Sequence, residues 1–133
     1  MISDTTSTLN KYQKLAAKMR CGVQLVPQQA QGQFFVYGDE EETTVAAACA
    51  LGHLRVCIAH EIDANPCDIN VTDALEQLGF TPEEANSVNP ERIQSIIVHW
   101  NDEDKLDTLE IAAKLDGMTD EALKRVYRNF YGE

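Results

Sequence analysis

The sequence predicts a mainly α fold, α+β if one short β-hairpin forms: a compact bundle of five to seven helices around a buried central helix. Three observations predict it. A nearly uncharged run rich in Ala and Leu, Thr44–His60, contains no proline and is long enough for four to five helical turns. On either side of it, apolar residues recur at spacings of three and four. The second half of the chain is punctuated by helix-starting and helix-stopping residues.

Taken in order, residues 1–7 read as a mobile lead-in and residues 8–133 as a single domain. Leu9, Tyr12, Leu15, Ala16 and Met19 share one face, so Thr8–Arg20 is predicted as an amphipathic helix, capped by Ser7 or Thr8 and stopped by Gly22. Val23–Val26 and Phe34–Tyr37 are strand-like, with Pro27–Gln33 as a hairpin loop; an extended surface arm fits the same residues. A two-stranded ribbon must lean on the helices. Gly38–Thr44 is acidic and leads into the central helix, where negative charge complements the helix dipole.

The central helix is apolar on every side, which predicts that protein surrounds it. Gly52 costs about 1 kcal/mol of helix propensity relative to Ala, implying a backbone packed close to it. Glu61–Asn70 is a polar loop, and Thr72–Leu78 is a short helix stopped by Gly79. Thr81-Pro82-Glu83-Glu84 and Asn89-Pro90-Glu91 are both cap-then-proline helix starts. Pro90–Asn101 turns Ile93, Ile96, Ile97 and Trp100 inward. Asp107 and Glu110 form a capping box opening a helix that runs to Asp116, with Gly117 as its stop. A last helix carries Leu123, Val126, Tyr127 and Phe130.

Composition narrows the function classes. The 133-residue chain has a net charge of −11 and a pI near 4.6, against the clustered positive charge that nucleic acid requires. From Gly22 through Glu91 there are twelve acids and one base, Arg55, while the basic residues gather near the ends. The central run is too short and too interrupted to span a bilayer. Four irregularly spaced cysteines read as reduced thiols, which predicts a cytoplasmic protein. The expected partner is another protein, with no nucleic acid, membrane or cofactor.

Within the central helix Cys49, His53, Cys57 and His60 fall on one face. Such ligand types make a metal site conceivable, but Cys49 and His60 would lie about 16 Å apart along the axis. They cannot enclose one ion without ligands from elsewhere, so no metal is assigned. Arg55 needs a carboxylate partner if buried, or its stem lies on the protein with the guanidinium in water. At Trp100-Asn101-Asp102, Asn101 is expected to close a helix in the left-handed conformation and Asp102 to accept turn N–H groups. Alternatively, Asp102 orients His99 or His53 beside the indole as a general-base pair. The candidate binding residues are therefore His53, Arg55, His60, His99, Trp100 and Asp102, with the acids Glu40, Glu41 and Glu42. The absence of catalytic signatures favours an interaction or regulatory module; the alternative is a small enzyme or ligand- or metal-binding protein using the central histidines and cysteines.

Cys49-Ala50-Leu51-Gly52 and Trp100-Asn101-Asp102, in that order between amphipathic helices, resemble the C-A-L-G-A-L and W-N-D signatures of a family of small bacterial proteins of unknown function. The resemblance covers roughly Leu9 to Leu115. His53 departs from the Ala usual in the signature, and the helix after Asp120 is an addition. What the resemblance implies is a fold and no chemistry.

Overall fold

A computed structural model describes residues 9–30, 33–38, 45–80 and 89–132. Among them are six α-helices and a two-stranded antiparallel ribbon, so the fold is mainly helical with a small hairpin. The order is α1 (Lys11–Leu25), β1 (Phe35–Tyr37), β2 (Val45–Ala48), α2 (Ala50–Ile62), α3 (Val71–Leu78), α4 (Pro90–Val98), α5 (Thr108–Asp116) and α6 (Asp120–Tyr131). A 3₁₀ turn, Pro66–Asp68, precedes α3, and a π-helical turn, His99–Glu103, extends α4.

Local sequence accounts for most of the boundaries. Asn10 caps α1 through a capping box with Gln13, and Asp107 caps α5 through one with Glu110. Asn70, Asn89 and Thr119 cap α3, α4 and α6 in the same sense, each side-chain oxygen accepting an N–H of the first turn. Gly79 ends α3 at φ 117°, a conformation open to glycine. The cap expected at Ser7 or Thr8 is corrected, since Asn10 opens α1 at Lys11; the acidic passage 39–44 and the helix start at Thr81 lie outside the described residues.

Three further expectations are corrected. Gly22 does not stop α1, which continues to Leu25, so Val23–Val26 is not a strand. The partner of β1 is instead β2, in the register Phe35↔Ala48, Val36↔Ala47 and Tyr37↔Val45, with a bulge between Val36 and Tyr37. The residues expected to open the central helix are thus extended, and α2 begins only at Ala50. Ala48 is held on both sides: beyond its β1 pairing, its N–H donates to Gln28 O at 3.1 Å and its carbonyl accepts from Ala30 N at 2.9 Å. Long-range ladder bonds override the helix preference of Ala46, Ala47 and Ala48.

α2 remains the enclosed element. Every residue from Ala50 to Leu54 is buried, as are Val56, Cys57 and Ala59, and only the last turn emerges. Gly52 has the expected close neighbour: a Cβ there would stand 2.2 Å from Phe34 O. Around α2 the core gathers Leu15 and Met19 from α1, Leu75 from α3, Ile93, Ile96 and Ile97 from α4, Ile111 and Leu115 from α5, and Leu123 from α6. A smaller cluster of Val26, Phe35, Ala48 and Val56 seats the ribbon. Among the described residues, no helix is long and apolar enough to cross a membrane.

Candidate functional site

The π-helical turn brings two features together, a polar core and an apolar cleft. Where α4 widens, Asp104 N donates to His99 O at 3.1 Å and Leu106 N to Trp100 O at 2.9 Å. The extra residue in the turn points Trp100 and Asn101 into the body of the protein. Asn101 is therefore not the left-handed closing residue expected from the sequence; that conformation falls on Lys105, at φ 59°.

Asn101 is 2% exposed and uses its whole amide. Its Oδ1 accepts from Ala50 N at 3.1 Å and from Gln29 Nε2 at 2.6 Å. Its Nδ2 donates to Ala30 O at 3.2 Å and to Asp102 Oδ1 at 2.8 Å. With Cys49 Sγ accepting from Gly52 N, this supplies partners for two of the N–H groups that α2 leaves free at its start. Gln29 Oε1 accepts from Thr108 N at 2.9 Å, which fixes its amide orientation, and Thr108 Oγ1 lies 2.5 Å from His53 Nδ1. His53 Nε2 is 2.7 Å from Val26 O. A carbonyl can only accept, so Nε2 carries the proton and Nδ1 is an acceptor; the one proton of the Thr108 hydroxyl is shared between Nδ1 and Gln29 Oε1, 3.0 Å away on its other side. Burial is the main cause holding the His53 pKa below its ordinary value.

His53 is thus placed away from solvent, with both ring nitrogens engaged. Cys57 is buried toward α1, and His60 is exposed in the last turn. The four residues of the expected face do not converge, and among the described residues no group of three or more His, Cys, Asp or Glu could hold a metal ion. The general-base pairing is corrected too: His53 turns to Thr108 and Val26, while His99 faces Asp104 at 3.8 Å and stacks on Phe130 with centroids 3.8 Å apart. Among the described residues, Arg55 pairs with aromatic rings and carbonyls and not with a carboxylate: its guanidinium lies over the Phe34 and Phe35 rings at 4.8 and 5.1 Å and donates to Pro66 O and Cys67 O. Glu40, Glu41 and Glu42 lie outside the described residues.

Above the polar core opens a cleft of about 190 Å³, walled by Phe34, Leu51, Ile97 and Val98, with Cys49, Asn101 and Asp102 at its polar end. Phe34 and Val98, which both line it, are 40% and 43% exposed. Burial, with Asp102 adding to it, raises the Cys49 pKa against the backbone bonds that lower it, so this sulfur is a thiol and a poor nucleophile at neutral pH. Of the cleft and its floor, sequence reasoning had His53 and Asp102 among the candidate binding residues and Cys49 on the conceivable metal face. It missed Gln29, Thr108 and the role of Asn101, whose partners are 72 and 79 residues apart for Gln29 alone. Neither the family models nor the curated proteins nor the solved structures compared with this chain match it, so the resemblance at Cys49–Gly52 and Trp100–Asp102 rests on those residues.

Proposed function

We propose that this protein is an interaction module that seats an apolar side chain of a partner protein in the cleft between Phe34 and Val98. The observation that carries this reading is the pairing of those two exposed apolar residues over a rigid, fully hydrogen-bonded floor. Magnitude favours a side chain over a free ligand. At about 190 Å³ the cleft falls below the roughly 300–1,000 Å³ usual for small-molecule sites, while one buried anchor is what a protein hot spot requires. The polar end carries the Asp102 carboxylate, and the chain as a whole carries −11, so the complementary segment is apolar with flanking basic residues.

Affinity capture from a lysate of the source cell, followed by titration calorimetry with the recovered partner, tests the reading. Val98→Glu and Phe34→Ala should each weaken binding by about 2 kcal/mol, roughly 30-fold in Kd, with little change in Tm. Exchanging Glu40, Glu41 and Glu42 together for Gln should weaken it further and reduce its salt sensitivity. Binding indifferent to Val98→Glu, or no specific partner at all, would overturn it.

A further inference from the structure

Cys21 on α1 and Cys57 on α2 are free thiols that line one cleft of about 460 Å³ between the two helices. Helix geometry places them there. α1 and α2 come so close at Gly22 that a Cβ on it would stand 2.0 Å from His53 O. Cys57 is one helical turn on from His53, and Lys18, one turn before Gly22, bonds Glu61, one turn beyond Cys57, at 2.8 Å. The antiparallel register 22 with 53, 21 with 57 and 18 with 61 sets the two sulfurs side by side. Cys57 is 1% exposed, whereas Cys21 is half-buried and faces the cleft among Lys14, Lys18 and Glu61.

We propose that Cys21 and Cys57 are a peroxide-reactive pair that closes to a disulfide pinning α1 to α2. The Cys21 thiolate attacks one oxygen of hydrogen peroxide; the O–O bond breaks, and the departing hydroxide takes a proton to become water, leaving a sulfenic acid. The Cys57 thiolate then attacks that sulfur, the S–O bond breaks, and a second hydroxide leaves and is protonated. Two thiols and one peroxide become one disulfide and two waters, each sulfur giving up one electron to the peroxide oxygens. Burial is the largest cause raising the Cys57 thiol above its ordinary value, and it persists once Cys21 is an uncharged sulfenic acid. The second step is therefore the slow one near neutrality and quickens with pH.

The test is to oxidise the full chain at low concentration with hydrogen peroxide, block remaining thiols with N-ethylmaleimide, and map the non-reduced peptides by mass spectrometry. A Cys21–Cys57 peptide should dominate, form about tenfold faster per pH unit below the Cys57 pKa, and disappear with dithiothreitol. Cys21→Ser should abolish it, Cys67→Ser should leave it intact, and the oxidised chain should melt about 5 °C higher or more. The wild-type peptide map decides the matter even if a variant folds poorly. Over-oxidation of Cys21 without linkage, or linkage only to Cys49, Cys67 or another molecule, overturns the proposal.

Discussion

At the scale of single residues, the polar core depends on side chains that serve several partners at once. Asn101 joins the start of α2, the 29–30 segment and Asp102, and His53 joins Val26 to Thr108. Among the described residues no buried side-chain nitrogen or oxygen lacks a partner, which is the condition under which such a network rigidifies rather than weakens a fold. The histidine also makes stability depend on pH. Its pKa is lowered in the folded state, chiefly by burial, so in acid the unfolded chain takes up a proton that the folded one refuses. Its contribution is complete above the ordinary histidine value and is lost as pH falls through the folded value. The urea midpoint should drop between about pH 7 and pH 5. His53→Gln, which keeps a donor for Val26 O, should flatten that part of the profile; a drop of equal size in the variant would assign it to carboxylates instead.

At the scale of elements, two glycines set how near the chain can come to α2. Gly52 admits the Phe34 carbonyl and Gly22 admits that of His53. In both cases the obstacle to a methyl group is backbone, which cannot rotate aside. Gly22→Ala should therefore force α1 away from α2 and cost about 3 kcal/mol despite the better helix propensity of Ala, measured by chemical denaturation. A neutral or stabilising result would mean that the helices slide apart without loss. The turn at Trp100-Asn101-Asp102 has a similar logic: its π-helical geometry aims one large apolar and one polar side chain inward from consecutive positions.

At the scale of the whole molecule, 22 acids face 11 bases. The ion pairs Lys11–Asp120, Lys18–Glu61 and Arg20–Asp116 are partly exposed and individually worth little. Self-repulsion outweighs them, so raising sodium chloride from about 10 mM to about 150 mM should raise Tm as the Debye length shrinks. A fall in Tm over that range would show that the specific pairs dominate.

The sequence by itself determined the helices whose cause is local. The caps at Asp107 and Asn89, the stop at Gly79 and the periodic apolar faces of α1, α4, α5 and α6 involve residues three or four apart, and each was legible. It also marked Gly52 as needing a close neighbour, without showing which. Only the tertiary structure decided that Val45–Ala48 is a strand, that Gln29 and Thr108 complete a network with His53 and Asn101, and that Phe34 and Val98 share a cleft. Those outcomes depend on groups tens of residues distant, where a ladder bond or a buried amide outweighs a few tenths of a kcal/mol of local preference per residue.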